Sequence, residues 1–211
     1  MLIFDLDGTL WDSAANVAVS WNIVFRREYP SLPDLTKEDI HSVMGLTMKE
    51  IEGKLHPSMP EECRSRLFDE CCRYEVEYLR EHGGDPYPQL RETMEELISR
   101  GYKLAIVSNC QCGYIDAFLS SIGVADLFVD YEEWERTGLV KGENIRLVME
   151  RNHESKAVYV GDTQKDQDAA RLAGIPFIHA AYGFGKVQAP DAVIRSLAEL
   201  PDVIDAMAAS L

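Results

Sequence analysis

The apolar positions of the chain fall into two rhythms. Short, mainly apolar runs, the length of buried strands, occupy residues 2–6, 103–107, 126–130, 157–160, 176–178 and 192–194. Elsewhere the apolar residues recur at helical spacing. Val17, Val19, Trp21, Val24 and Phe25 mark a helix over residues 13–29, with Ser13 placed to cap it. Tyr29-Pro30-Ser31-Leu32-Pro33 stops that helix. Further helices are predicted from residue 36, over 47–55, and over 60–81 with Pro60 near the first turn. The whole stretch from 13 to 82 is therefore all-helical, and His82-Gly83-Gly84-Asp85-Pro86 reads as a linker.

Beyond the linker the two rhythms alternate. Helices are predicted over 90–100, 113–122, 142–151, 164–173 and 199–209, with Gly101 at a favourable position to end the first of them. Short apolar strands alternating with helices imply an α/β fold: a Rossmann-like, doubly wound parallel sheet. The all-helical stretch interrupts that fold after its first strand, with crossings near 13–16 and 82–87. The expected division is a catalytic core of residues 1–14 and 84–211 and an inserted helical cap of residues 15–83.

Composition narrows the partners. The chain has 211 residues, enough for a domain of ordinary size and a smaller one. A formal net charge of -15 repels phosphate backbones and anionic bilayers, so neither nucleic acid nor membrane is an expected partner. Leu2-Ile3-Phe4 is too short a run for a signal peptide or a span, and the expected setting is the cytoplasm. The cysteines are odd in number: Cys63, Cys71, Cys72, Cys110 and Cys112. Cys110-x-Cys112 has no second pair at zinc spacing, so all five are expected to be structural thiols in a reducing compartment.

In an open parallel sheet, ligands sit beyond the carboxyl ends of the strands. The first strand ends in Asp5 and Asp7, the strand at 103–107 runs into Ser108-Asn109, and that at 157–160 into Gly161-Asp162, with Asp166 four residues on. Lys141 opens the helix before that last strand. Singly, Asp162 or Ser108 reads as a helix cap and Lys141 as a solvated lysine. Together, the carboxylates form a hard-oxygen site suited to Mg²⁺, while Ser108, Asn109 and Lys141 offer a hydroxyl, an amide and a charge to a phosphate.

These residues resemble the four motifs of the haloacid dehalogenase superfamily, in order: Asp5-Leu6-Asp7-Gly8-Thr9, Ser108, Lys141, and Gly161-Asp162-Thr163-Gln164-Lys165-Asp166. Pro86-Tyr87-Pro88 and Ala173-Gly174-Ile175 are similar to its phosphoglycolate-phosphatase-like branch, in which a helical cap follows the first motif. The resemblance implies a Mg²⁺-dependent phosphatase acting on a small phosphorylated metabolite. Asp5 would be the nucleophile, forming an aspartyl-phosphate, and Asp7 the general acid and base. Asp5, the backbone carbonyl of Asp7, and Asp162 would hold the metal, with Asp166 orienting from behind. Ser108, Asn109 and Lys141 would hold the phosphoryl oxygens. By family position, Met44-Gly45-Leu46-Thr47-Met48-Lys49 would form the specificity loop, Gly45, Leu46, Thr47 and Lys49 being its candidate contacts. Trp11 and Trp21 could line the mouth of the site, but packing in core or cap is the stronger expectation for both. An aspartate at position 7 favours phosphoryl transfer over dehalogenation. The alternatives are a sugar phosphomutase, for which Met48 and Lys49 stand where an arginine is expected, and a non-catalytic regulatory protein. The assembly expected is a monomer or homodimer.

Overall fold

Alternation along the first strand sets the plan of the molecule. Leu2 and Phe4 enter one apolar cluster and Ile3 enters another, on opposite sides of the sheet. A computed structural model describes residues 1–208 of the chain. In chain order the elements are β1 (Leu2–Phe4), β2 (Trp11–Asp12), α1 (Ala14–Glu28), α2 (Lys37–His41), α3 (Met48–Leu55), α4 (Glu61–His82) and β3 (Asp85–Pro86). There follow α5 (Leu90–Ser99), β4 (Leu104–Ser108), α6 (Tyr114–Ile122), β5 (Asp130–Glu133), α7 (Trp134–Thr137) and α8 (Lys141–Arg151). The chain continues through β6 (Val158–Gly161), α9 (Gln164–Ala173), β7 (Phe177–Ala180), β8 (Ala192–Ile194) and α10 (Leu200–Ala208).

The main sheet is six-stranded, in the order β5-β4-β1-β6-β7-β8, and every pairing is parallel. The chain builds outward from β1 to β4 and β5, then returns to build β6, β7 and β8 on the other side. The switch point, where a crevice opens at the carboxyl ends, is therefore at β1. The cluster containing Ile3 holds Ala105, Val107, Tyr159 and Phe177 of the sheet with Ile145 and Val148 of α8 and Ala169 and Ala170 of α9.

The larger cluster runs from Leu2 and Phe4 through Phe118 of α6 into α1 and α4. Trp21 and Phe25 of α1 meet Phe68 of α4 edge-on, at ring separations of 5.3 and 6.2 Å. The two crossings between the sheet and the four-helix segment are laced together as a short antiparallel pair, Trp11 opposite Pro86 and Asp12 opposite Asp85. Thr36 and Thr47 open α2 and α3 with capping boxes to Asp39 and Glu50.

The parallel α/β architecture expected from the alternation is present, and most elements fall within a few residues of their expected bounds. The run at 126–130 is the exception. Ala125–Leu127 closes a 3-10 turn, and the strand proper starts at Asp130. Its pairing residues are acidic: Glu132 and Glu133 are 1% and 0% exposed. Arg151 holds Glu132 at 2.6 Å, and Glu133 accepts the Gly113 N–H at 3.1 Å. A strand stabilised by paired charge leaves no apolar signature, which is why the hydrophobic pattern placed it early. The short helix α7 had no apolar signal either. Pro60 stands at the cap position of α4, next to its first turn as expected. The last helix begins after a 3-10 turn at Leu197–Glu199, and its expected final residue, Ala209, lies outside the described residues. Among the described residues no helix is long and apolar enough to cross a membrane.

Phe68 joins α4 to α1 with no exposed surface. Phe68→Ala is expected to cost about 3–5 kcal/mol, measured as a lower urea midpoint with an unchanged slope.

Candidate active site

Asp5 continues the parity of β1: its backbone N–H donates to the Val160 carbonyl at 2.8 Å, and its side chain follows Ile3 toward α8 and α9. Lys141 is the first residue of α8, and Asp166 lies in the first turn of α9. The Lys141 ammonium stands 2.8 Å from Asp5 Oδ1 and 2.7 Å from Asp166 Oδ1. None of these three side chains is more than 4% exposed. The second Asp166 oxygen accepts the Thr163 N–H at 2.9 Å and the Thr163 hydroxyl at 2.6 Å, so one carboxylate both caps α9 and anchors the lysine.

Asp162 leaves the end of β6 beside this pair. Its Oδ2 accepts the backbone N–H groups of Phe184 and Gly185 at 2.7 and 3.3 Å. Its Oδ1 is buried without a partner. Asp5, Asp162 and Asp166 each bring one carboxylate oxygen to within 4.8 Å of the others. Burial first, and then the neighbouring carboxylates, push Asp5 and Asp162 up from the ordinary range. Burial opposes the charge on Lys141, but Asp166 and Asp5 outweigh it and hold the ammonium protonated. Three buried carboxylates against one ammonium leave an excess of negative charge around an unpartnered oxygen. That donor set fits a hard divalent cation.

Asp7 takes a different direction. Gly8 turns the chain at φ +78°, where a Cβ would run into Asp162. Asp7 Oδ1 then accepts the hydroxyls of Ser13 and Tyr114 at 2.8 and 2.9 Å. Burial raises its pKa to about 6, against the pull of these two donors. Ser13 therefore does not cap α1 as expected from its position. Its hydroxyl is committed to Asp7, and Asp12 Oδ1 accepts the Ala14 N–H instead, at 3.1 Å.

Ser108, 6% exposed, ends β4 beside them. Asn109 reaches across to the helical segment, its Nδ2 donating to the Gly45 carbonyl at 3.3 Å. A pocket of about 50 Å³ lies here, with Asp5, Asp7, Ser108 and Asn109 on the sheet side. Met44, Gly45, Leu46 and Met48 face them. Thr47 is occupied capping α3, and Lys49 lines a separate surface groove; neither lines this cavity.

Sequence reasoning missed several groups that the fold delivers here. The Phe184 and Gly185 amides had one local signal, the alternating Gly183-Phe184-Gly185, since a side chain at 183 would collide with Gly8 and Asp162. Tyr114 had none. Trp11 packs against Tyr114 and Phe118, as expected of it, whereas Trp21 also lines the cavity. The Trp21 indole N–H donates at 2.6 Å to Glu75, a cavity-lining residue of α4 that is 4% exposed. Burial pushes the Glu75 pKa up to about 8, although the Trp21 N–H holds it back. Gln111, 8% exposed, also lines the cavity, and its side chain helps Trp21 hold the Glu75 pKa down.

Comparison with known proteins adds three findings. A family model described as haloacid dehalogenase-like hydrolase matches residues 2–180. A phosphoglycolate phosphatase of Vibrio vulnificus is 29% identical, across 97% of this chain and 95% of its own, and one of Aquifex aeolicus is 30% identical, across 97% and 96%. The crystal structure of a predicted phosphoglycolate phosphatase from Haemophilus somnus 129PT superposes with a TM-score of 0.84 at 22% identity, covering 97% of both chains, which is a likeness of fold.

Glu75 binds its proton more tightly folded than unfolded, between its ordinary 4.5 and about 8. Stability carried by that proton is therefore full below about pH 4.5 and lost as pH rises to about 8. The thermal midpoint of the wild type should fall relative to Glu75→Gln across that window; a constant difference would show that Glu75 is not buried as described.

Proposed function

The chain belongs to the haloacid dehalogenase-like hydrolases, and on that premise we propose that it is a Mg²⁺-dependent phosphatase that hydrolyses a small phosphomonoester through an aspartyl-phosphate on Asp5. The observation that carries this reading is the buried cluster of Asp5, Asp162, Asp166 and Lys141 at the switch point of the sheet. Like charges held this close cost stability unless a cation or a function compensates, and the unpartnered Asp162 oxygen is where a metal fits.

Asp5, Asp162 and the backbone carbonyl of Asp7 would hold Mg²⁺, with Asp166 orienting Lys141 from behind. Bound there, Mg²⁺ would supply positive charge against the repulsion between carboxylate and phosphate. An Asp5 oxygen attacks phosphorus while the bond from phosphorus to the ester oxygen breaks, and Asp7 gives its proton to the departing alcohol. A pKa near 6, set by burial, suits that exchange: the acid is partly protonated near neutrality and its base form is useful next. Ser13 and Tyr114 fix the carboxyl that makes the transfer. Asp7 then takes a proton from water, the hydroxide attacks phosphorus, and the bond to Asp5 breaks to release phosphate. Ser108, Asn109 and Lys141 hold the phosphoryl oxygens meanwhile.

The four helices between β2 and β3 act as a cap. A pocket of about 50 Å³ admits a few waters, so a larger substrate would need the cap to move on its two crossings. Gly45 and Leu46 face the site from the cap, while Thr47 and Lys49 lie outside the lining of this pocket. A phosphomutase must also hold a second phosphate, and no Lys, Arg or His lines the cavity among the described residues, which favours hydrolysis.

Phosphate release from a panel of phosphomonoesters, with and without Mg²⁺, tests the reading. Turnover is expected only with the metal, and Asp5→Asn should lower it by at least about 10³-fold while the circular dichroism stays unchanged. Retention of activity in that variant removes Asp5 as nucleophile. Mg²⁺ should raise the thermal midpoint of the wild type and leave that of Asp162→Asn unmoved; equal shifts would place the metal elsewhere.

A further inference from the structure

Phe184 turns its amide to a site carboxylate and its ring to the helical segment. Its N–H and that of Gly185 donate to Asp162 Oδ2 at 2.7 and 3.3 Å. Its ring lies against His41, the last residue of α2, with ring centroids 4.3 Å apart and planes 31° from parallel. His41 is in turn held from the first crossing. Its Nε2 stands 3.0 and 3.1 Å from the two carboxylate oxygens of Asp12 in β2, and Lys37 Nζ lies 2.7 Å from the same carboxylate. Burial opposes the charge on Asp12, but Lys37, His41 and the Ala14 N–H outweigh it and hold its pKa below the ordinary range. An ionised carboxylate only accepts, so the Nε2 of His41 carries a proton and donates it. Resting on the metal assignment above, we propose that His41 is a positioning residue for the cation: anchored on Asp12, its ring seats Phe184 so that the amides of residues 184 and 185 occupy one oxygen of Asp162 and leave the other for Mg²⁺.

A carboxylate holds a metal best when its orientation is fixed before the ion arrives. Asp162 Oδ2 takes both amides and Oδ1, fully buried, takes none. That division depends on where residues 183–185 sit. Gly183 and Gly185 approach Asp162 so closely that a Cβ on either would collide with it. Glycine on both sides of Phe184 also leaves the phenyl ring as the only side chain by which this turn can be gripped. The ring is gripped twice: by His41, and by close approach to Gly8, where a Cβ would come within 2.9 Å of it. Groups that orient a metal ligand from behind matter to affinity almost as the ligands do, and losing one lowers it by about 10–100-fold. His41 belongs to the helical segment and Phe184 to the loop after β7, so the acid that holds the metal is braced by the segment that faces it across the site.

Calorimetric titration of Mg²⁺ into the wild type and four variants tests this. His41→Ala should weaken binding by about tenfold or more, and the Mg²⁺ concentration for half-maximal turnover of p-nitrophenyl phosphate should rise by the same factor. His41→Phe keeps a flat ring against Phe184 and should recover most of the affinity. Phe184→Ala keeps both amides and removes the ring, so it should match His41→Ala and serves if that variant folds poorly. The double variant should bind no more weakly than either single one. Glu50→Gln is the control. It breaks the ion pair with Lys165 at 2.6 Å, another contact between the same two parts of the chain, and should leave the affinity unchanged. Wild-type affinity in His41→Ala and Phe184→Ala overturns the inference. So do losses that add in the double variant, a His41→Phe no better than His41→Ala, or an equal loss in Glu50→Gln. In each of those cases the wild type still binds Mg²⁺, and the metal assignment stands. A folded wild type that takes up no Mg²⁺ overturns both.

Discussion

One ammonium group organises the centre of this molecule. Lys141 lies between Asp5 and Asp166, almost without solvent, and each of those carboxylates comes from a different element. Without the lysine, three acids would be gathered in a region of low dielectric with nothing to oppose their repulsion. With it, β1, α8 and α9 are tied together at their functional ends. Asp166 strengthens the arrangement because its second oxygen is already committed to capping α9. Its position is thus set by the helix as well as by the ion pair. The lysine balances only part of the negative charge, and Asp162 Oδ1 is left without a donor. A site stabilised incompletely by its own side chains is one that gains by binding a cation.

The same centre divides labour between two acids only two residues apart. Asp5 follows the strand and faces the lysine. Asp7 lies beyond the end of β1, next to the turn at Gly8, and faces two hydroxyls, one from α6 and one from the start of α1. A carboxylate beside an ammonium and a carboxylate beside two neutral donors have different proton affinities and different uses. The second sits at the junction of the sheet and the four-helix segment: Ser13 follows directly on β2, the first crossing, and pairing of β2 with β3 holds both crossings together.

The apolar residues of the helical segment belong to the same cluster as one face of the sheet, and the pocket between them mixes apolar walls with a few polar groups. Glu75 is one of these polar groups, its carboxyl held by the Trp21 indole N–H and by the Gln111 side chain.

Much of this was legible along the chain. The alternation of short apolar strands with helices follows from local periodicity, and Asp5, Asp7 and Asp162 sit at or just past strand ends, positions that the same periodicity defines. What could not be read were features whose stabilising partner is distant in sequence. β5 was placed early because Glu132 is neutralised by Arg151 and Glu133 by a backbone amide from another loop. Ser13 carries the residue type of a helix cap, yet its hydroxyl finds better partners in Asp7 and Tyr114, the latter 101 residues away. Glu75 is one glutamate among many on a charged helix until packing buries it beside Trp21. The sequence by itself determined the order of elements and the chemistry available at the strand ends, because these depend on neighbours a few residues apart. Only the tertiary structure decided which acid meets the lysine, which meets hydroxyls, and which remains unpaired, because burial and long-range contact set the electrostatics of each.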